Sequence, residues 1–222
     1  MLLYFIRHGE SLFNAQRRIQ GQSDVALSPT GLRQAAALAA ALGSIDAEAI
    51  YASPLRRAMQ TAEPLAAALH LTVRTDDRLK EINAGEFQGL EWPEIEQRWP
   101  DAASHWQRQT PDFVIPGGES RRAVAERGQA AFEAIRAAGH RTAVVVAHGG
   151  VLSGALRSLL QIPAQMSPFS FFNAAINKLT WDQMQVDGEG ETPRTRIKIL
   201  VINETGHLKA AGLNAENHTG DL

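Results

Sequence analysis

The segment TAVVVA at residues 142–147 constrains the fold of this chain more than any other feature of its sequence. It is apolar after its first residue, and its consecutive valines favour extended backbone. Because successive side chains of a strand point to opposite faces, both faces of this strand must be buried. Strands of this kind belong inside parallel sheets that helices cover on both sides. The segment therefore predicts an interior strand of a parallel sheet.

Short apolar segments and helical segments alternate along the rest of the chain. Predicted strands lie at residues 2–6, 49–52, 71–74, 176–181 and 196–202. Predicted helices lie at residues 31–42, 56–69, 119–138 and 151–160. Ser28 or Thr30 can cap the first helix, and Gly43 can end it. This alternation predicts an α/β fold, a three-layer sandwich with a mostly parallel central sheet flanked by helices.

The length of 222 residues suits a single domain over residues 1–222. Residues 85–118 break the alternation with three tryptophans and four prolines. This composition predicts a cap-like insertion of short helices and loops over the main layer. A glycine-rich loop is predicted at residues 187–191, and the polar tail from about residue 206 is expected to be irregular.

Composition excludes several classes of function. The chain has no cysteine, which excludes disulfides, thiolate zinc sites and a cysteine nucleophile. Its net charge of −2 gives no basic excess for nucleic acid or membrane surfaces. No apolar run reaches the roughly 18 residues that a membrane span needs. The apolar start at residues 1–6 is too short for a signal peptide, so a cytoplasmic location is expected.

Polar residues follow three of the predicted strands directly. Arg7 and His8 end the first strand, Ser53 follows the second and leads to Arg57, and His148 follows the strongest strand. Ligands of open α/β sheets bind at the carboxyl ends of the strands. We therefore expect these side chains to form a common site.

Four motifs occur in one order along the chain: RHGES at residues 7–11, SPLRRAMQT at 53–61, LKEINAGEFQG at 79–89 and VAHGG at 146–150. Together they resemble the histidine phosphatase superfamily, which includes the cofactor-dependent phosphoglycerate mutases. The resemblance extends from about residue 2 to residue 150 and is greatest to the small bacterial phosphatases of the phosphoglycerate-mutase-like branch. It implies a phosphoglycerate-mutase-like fold and a phosphohistidine intermediate.

This resemblance also implies roles for individual residues. His8 would be the nucleophile that attacks phosphorus, and it must be neutral to do so. Arg7, Arg57 and His148 would hold the transferring phosphoryl group. Arg57 matches the family position, whereas its neighbour Arg56 does not. No metal and no other cofactor is expected, because these groups replace the metal as the source of positive charge.

The remaining site residues carry the acid–base and binding roles of the resemblance. Glu81 would protonate the leaving oxygen and later activate water. Glu86 is the rival candidate, but a solvated surface charge is the better interpretation of it. Asn14 would donate its amide to phosphate, and Gln20 and Gly21 match a loop that touches phosphate or substrate.

Other polar residues have less specific interpretations. Ser53 is expected to be a turn or cap residue that helps to position the phosphate site. Arg108, Arg121 and Arg122 are candidates for binding a substrate carboxylate, although solvated surface cations are commoner. The tryptophans of the insertion are interpreted as packing residues.

Three functions stay open on the sequence. The first is a phosphatase acting on a small phosphomonoester, the second a phosphoglycerate mutase, and the third a non-catalytic protein that binds a phosphorylated ligand. Residues 90–116 are short and only modestly basic, which favours the phosphatase because an open pocket admits water. The expected partner is a small phosphorylated metabolite, with no nucleic acid and no membrane, and a homodimer is left open.

Overall fold

A computed structural model of the chain describes residues 1–166, 168–184 and 194–214. Within these residues one sheet has six strands in the order β3-β2-β4-β1-β5-β6. In chain order the strands are β1 (Leu2–Arg7), β2 (Ala49–Ala52), β3 (Val73–Thr75), β4 (Thr142–Ala147), β5 (Ile176–Met184) and β6 (Arg194–Glu204).

The first four strands are parallel and the last two are antiparallel. β4 pairs with β1 on one side and with β2 on the other, both in parallel. β5 runs antiparallel to β1, and β6 runs antiparallel to β5. The strand predicted from TAVVVA is thus interior and lies in the parallel part of the sheet, which confirms the predicted α/β fold.

Eight α-helices surround the sheet in the described part of the chain: α1 (Leu12–Ala15), α2 (Pro29–Leu42), α3 (Arg56–Ala68), α4 (Trp92–Arg98), α5 (Pro100–Gln107), α6 (Arg121–Ala137), α7 (Gly149–Leu159) and α8 (Gly206–Ala210). Two short 3₁₀ turns, Asp77–Leu79 and Gly85–Phe87, precede α4. Ser28, not Thr30, caps α2, since its Oγ accepts a bond of 3.0 Å from the Gly31 N–H.

Two apolar cores lie on the two faces of the sheet. Val144 and Val146 of β4 join the core under α2 and α3. Val145 faces the other way and joins the core under α6 and α7. The alternation of these valines is the physical reason why TAVVVA must be apolar on consecutive residues.

The insertion predicted at residues 85–118 holds α4 and α5 and packs onto the second of these cores. Ile95 and Trp106 are buried there together with Phe132 of α6. Trp92 and Trp99 are partly buried against the same cluster. The tryptophans therefore pack as expected and anchor the insertion beside the edge of the sheet where α6 and α7 begin.

The late part of the chain differs from the sequence prediction. Both late strands are longer than predicted, and the third strand begins at Val73 and not at residue 71. The tail predicted to be irregular from residue 206 begins with α8, because Leu208 is buried against Ala174 and Leu213. The glycine-rich loop predicted at 187–191 lies outside the described residues. None of the helices that the structure describes is long and apolar enough to span a bilayer.

Candidate active site

His8 lies immediately after β1 and is fully buried. Its Nδ1 is 2.6 Å from the Gly9 carbonyl oxygen, so Nδ1–H donates there. The other ring nitrogen, Nε2, then carries the lone pair, and it accepts a bond of 3.2 Å from Nε of Arg57. The backbone carbonyl of the next residue thus selects the tautomer that a nucleophilic imidazole needs.

Two side chains that the sequence analysis missed hold the backbone around His8. Asn173 Nδ2 donates to the His8 carbonyl at 2.8 Å. Thr61 Oγ1 accepts from the Gly9 N–H at 3.0 Å and donates to the Arg57 carbonyl at 2.7 Å. Thr61 falls within the quoted motif at residues 53–61, whereas no motif marked Asn173, which is distant in sequence and reaches His8 only through the fold.

Arg57 lies in the first turn of α3 and is fully buried. Its Nη1 donates to the Ser23 carbonyl at 2.9 Å and its Nη2 to the Gly21 carbonyl at 2.7 Å. Gly21, predicted to touch phosphate or substrate, therefore contributes a carbonyl that orients Arg57. Arg56 is exposed, as expected if Arg57 is the arginine of the site.

Arg7 is the last residue of β1, and only 2% of its side chain surface is exposed. Its Nη1 donates to the Phe171 carbonyl at 2.7 Å. This bond joins the end of β1 to the segment that precedes β5. A guanidinium in such a place adds a fixed positive charge next to His8.

His148 follows β4 and is the residue that precedes α7. Its ring centroid lies 5.0 Å from that of His8, and its Nε2 is 2.8 Å from Ser53 Oγ. Burial, followed by the positive charge of Arg57, lowers the pKa of His148 well below its usual value, so the ring is neutral. Its Nδ1 is buried and has no hydrogen-bond partner among the described residues. When the Ser53 hydroxyl donates to Nε2, Nδ1 carries a proton that is available to an anion.

Glu81 is buried in the segment between β3 and α4, and its carboxylate faces the start of α7. Oε2 accepts from the Gly150 N–H at 2.9 Å, and Oε1 accepts from the N–H groups of Val151 at 3.1 Å and Ile82 at 2.8 Å. The N-terminus of a helix favours negative charge, so this is a suitable cradle for a carboxylate. Glu86 is exposed, in agreement with its interpretation as a surface charge.

The main chain of Glu81 is also held in place. Arg127 of α6 donates to the Glu81 carbonyl at 2.8 Å, and Gln22 Nε2 donates to the same oxygen at 2.9 Å. Arg127 in turn binds Glu119 at 2.9 Å. The carboxylate of Glu81 is therefore placed by a segment with little freedom to move.

Asn14 and Gln20 meet at the side chain of Ser11, and all three are buried. Asn14 Oδ1 accepts from the Ser11 backbone N–H at 3.1 Å, and Gln20 Oε1 accepts from Ser11 Oγ at 2.5 Å. Asn14 Nδ2 is buried without a partner among the described residues. An amide donor in this position suits an anionic ligand.

The fold thus brings together two buried guanidinium groups and two histidines at one edge of the sheet. Arg7 and Arg57 contribute positive charge, and the neutral His148 and the amide of Asn14 contribute donors. His8 offers a lone pair among them. Within the described residues, no group of three or more His, Asp or Glu side chains is placed to hold a metal ion. The arrangement suits an in-line attack on a phosphoryl group.

Comparison with known protein families agrees with a phosphoryl-transfer site at this edge of the sheet. A sequence profile of the "Histidine phosphatase superfamily (branch 1)" matches residues 3–189 of the chain. This span contains every residue placed in the site above.

Three proteins of similar sequence illustrate the relationship. The chain is 37% identical to glucosyl-3-phosphoglycerate phosphatase of Mycobacterium tuberculosis (strain ATCC 25618 / H37Rv), over 75% of this chain and 78% of that protein. It is 38% identical to a metal-independent phosphoserine phosphatase of Arabidopsis thaliana, over 79% and 74% of the two chains. It is 39% identical to a probable phosphoglycerate mutase of Proteus mirabilis (strain HI4320), over 73% and 76%.

A solved structure has the same fold. The native structure of mycobacterial glucosyl-3-phosphoglycerate phosphatase superposes with a TM-score of 0.78 and 33% sequence identity. The superposition covers 91% of this chain and 98% of that chain. The likeness therefore extends over nearly the whole chain.

Proposed function

This chain belongs to branch 1 of the histidine phosphatase superfamily, and we propose that it is a metal-independent phosphatase which hydrolyses a small phosphomonoester through a phosphohistidine. The observation that carries the proposal is the arrangement of His8, with Nδ1 bound to the Gly9 carbonyl and Nε2 facing Arg57. A neutral imidazole with a fixed lone pair inside a cluster of cations is well suited to attack a phosphoryl group.

In the first step Nε2 of His8 attacks phosphorus. An N–P bond forms while the bond from phosphorus to the ester oxygen breaks in line. Nδ1–H keeps its bond to the Gly9 carbonyl, which favours the positive charge that develops on the ring. The product of this step is the phosphohistidine and the free alcohol.

Charge on the phosphoryl oxygens is balanced by the cations of the site. Arg57 reaches the reacting nitrogen itself, because its Nε lies 3.2 Å from Nε2 of His8. Arg7 and the neutral His148 add further hydrogen-bond donors for the phosphoryl oxygens. Such preorganised donors supply much of the stabilisation of a transition state because they need no rearrangement.

Glu81 is the proposed general acid and base. It gives a proton to the leaving alcohol oxygen in the first step and takes a proton from water in the second. Water then attacks phosphorus, the N–P bond breaks, and inorganic phosphate is released. The three backbone N–H groups stabilise the carboxylate that remains once the proton has passed to the leaving oxygen, and this carboxylate is the base of the second step.

The names of the relatives support a substrate class. Glucosyl-3-phosphoglycerate and phosphoserine are small phosphate monoesters, and the phosphatases that act on them are related to this chain. A small phosphorylated metabolite is therefore the partner we propose. We also propose a cytoplasmic location and a function that involves neither nucleic acid nor a membrane.

The alternative is a phosphoglycerate mutase, which would return the phosphoryl group from His8 to the substrate. The relative in Proteus mirabilis supports it. The two activities differ in the acceptor, water or substrate, and not in the nucleophile. Formation of 2-phosphoglycerate from 3-phosphoglycerate without phosphate release would favour the mutase.

The test is phosphate release from a panel of small phosphomonoesters, with chelator present and no added metal. Wild type should release phosphate, and His8→Ala should lower the rate at least about 10³-fold while retaining the melting temperature. The exposed histidine variant His105→Ala is the matched control and should keep full activity. Activity of His8→Ala close to wild type would refute the nucleophile assignment.

A further inference from the structure

Arg121, the first residue of α6, differs from the other arginines near the start of that helix. Arg122 is exposed and makes a bidentate pair with Asp112, and Arg127 pairs with Glu119 at 2.9 Å. Arg121 is only partly exposed, yet no ion pair joins it to a carboxylate in the part of the chain that the structure describes. A cation withdrawn from water is normally paired, so this one needs an explanation.

The guanidinium of Arg121 is held flat and still has donors to offer. It stacks on the ring of Trp106, with Cζ 3.4 Å from the ring centroid, and Nη2 donates to the Trp106 carbonyl at 3.2 Å. Nε is buried and has no hydrogen-bond partner among the described residues, so a ligand would reach the outer nitrogens, of which only Nη2 already donates to a described residue. Burial, followed by the charge of Arg157, lowers the pKa of Arg121 to about 10, so the group is still protonated at neutral pH.

The packing of α6 on α7 places Arg121 beside the catalytic edge. Ala125 of α6 contacts Gly154 of α7, and one turn later on both helices Gln129 and Ser158 line the same groove. Because residue numbers increase together on the two helices, α6 and α7 run in the same direction. Their N-terminal ends therefore lie side by side. α7 begins where the Gly150 N–H binds Glu81, and Arg121 interacts electrostatically with that carboxylate.

Arg157 adds a second positive charge to the same region. Gly150, Ser153 and Arg157 lie on one face of α7, because their spacing matches successive turns of a helix. Gly150 is at the end of this face that binds Glu81, and Arg157 lies two turns further along the helix. The side chain of Arg157 is 7% exposed, and its Nη1 donates to the Ala164 carbonyl at 2.9 Å. Long side chains on helices point back toward the N-terminus, which brings this guanidinium toward Arg121.

From this geometry we propose that Arg121 binds a carboxylate on the leaving group of the substrate, on the side of the site where Glu81 protonates the leaving oxygen. The proposal rests on the phosphatase function and names its substrate class: phosphomonoesters of hydroxy acids. A carboxylate suits this place because its planar oxygens match the donors of one guanidinium. Arg157 strengthens the attraction without touching the ligand. Trp106 keeps the guanidinium oriented.

The experiment compares two substrates that differ in one group. 3-Phosphoglycerate carries a carboxylate where glycerol 1-phosphate carries a hydroxymethyl group, and 4-nitrophenyl phosphate reports the integrity of the phosphoryl site. We expect wild type to prefer 3-phosphoglycerate. Arg121→Gln should lose about 10- to 100-fold in kcat/KM on that substrate, mainly through KM, and should change little on the other two. Arg121→Lys should recover part of the loss, and Arg33→Gln, at an exposed arginine of α2, is the matched control.

Two results would overturn the proposal. Equal losses on all three substrates, with a lowered melting temperature, would make Arg121 a packing partner of Trp106 only. A wild-type enzyme without preference for the carboxylate would exclude the subsite.

A binding measurement separates this proposal from the phosphatase function itself. Calorimetry with the His8→Ala protein measures the Kd of 3-phosphoglycerate without turnover, and addition of Arg121→Gln should weaken binding about 10-fold or more. If no substrate is hydrolysed by wild type but this loss is seen, the phosphatase function fails and the carboxylate subsite stands. Unchanged binding in the double variant would reject the subsite in either case.

Discussion

The parallel part of the sheet contributes side chains of the candidate site, whereas the antiparallel part contributes side chains that hold its backbone. Each central parallel strand ends in a reactive or orienting side chain: His8 after β1, Ser53 after β2 and His148 after β4. The antiparallel pair contributes none of these. The segment before β5 instead supplies Asn173, whose amide binds the backbone of His8, and β5 itself supplies Asn177, whose amide binds the Phe5 carbonyl at 3.0 Å.

This difference follows from the geometry of strands. Parallel strands all end at one edge, so residues that follow them converge there, whereas an antiparallel hairpin alternates its ends between the two edges. We therefore expect variants on the parallel side to affect catalysis and variants on the antiparallel side to affect stability. Variants on both parts of the sheet test that division.

Glu81→Gln should have the largest effect of the four. It replaces a carboxylate that is cradled by backbone N–H groups with an amide that can neither donate an acidic proton nor accept all three bonds. Hydrolysis of alkyl phosphates should fall about 10²- to 10⁴-fold. 4-Nitrophenyl phosphate, whose leaving group needs no proton, should be affected less. Equal losses on both kinds of substrate in steady-state assays would argue against the acid role.

Arg57→Ala should lower kcat about 10²- to 10³-fold, since it removes a buried charged donor beside Nε2 of His8. Stopped assays over a range of substrate concentration would separate kcat from KM. Arg56→Ala is the matched control on the exposed side of the same turn and should keep its activity. A change in KM alone would mean that Arg57 positions the substrate and does not stabilise the transition state.

Asn173→Ala should lower the free energy of unfolding by about 1–3 kcal/mol, because the buried His8 carbonyl loses its shorter hydrogen bond and keeps only the one from the Ala174 N–H at 3.3 Å. We expect kcat to fall less than 10-fold, by about the amount that a small displacement of His8 costs. Asn177→Ala is the matched control, with a similar loss of stability in urea unfolding and no change in kcat. A loss of kcat in Asn173→Ala as large as that in Arg57→Ala would break the division between the two parts of the sheet.

The pH dependence of stability should show the smallest effect. The pKa of His148 is lowered in the folded protein, so below about pH 6.5 the unfolded chain binds a proton that the folded protein does not. The free energy of unfolding should therefore have its full value above that pH. Below that pH it should fall by at most about 1.4 kcal/mol per pH unit. His148→Asn should remove this component when urea unfolding is followed at pH 7, 6 and 5.5. An identical slope in both proteins would mean that other groups account for the acid sensitivity.

Much of the site could be predicted because its residues follow strands directly. His8 and His148 need no distant information to be placed, since each terminates an apolar segment that must be a buried strand. The choice of Arg57 over Arg56 came from the family motif and agrees with which of the two is buried. These positions depend on local pattern and on the common edge of parallel strands.

Other features could not be predicted because they depend on contacts between segments far apart in sequence. The role of Gly21 is carried by its carbonyl, which the residue type does not reveal. The helix α8 in the tail forms where Leu208 finds a core, although its surroundings in the sequence are polar. In the sequence, Arg121 cannot be distinguished from an ordinary surface cation. Its special environment comes from Trp106 and the start of α7, which only the fold brings next to it.

The sequence by itself determined the α/β class and the position of the interior strand, because periodicity and strand ends are properties of neighbouring residues. The set of motif residues came from the resemblance of the sequence to the family. Only the tertiary structure decided which ring nitrogen of His8 carries the lone pair, how Glu81 is cradled and why Arg121 lacks a carboxylate partner among the described residues. These depend on hydrogen bonds and charges that cross between elements. Such interactions exist only after the chain has packed and water has been removed from them.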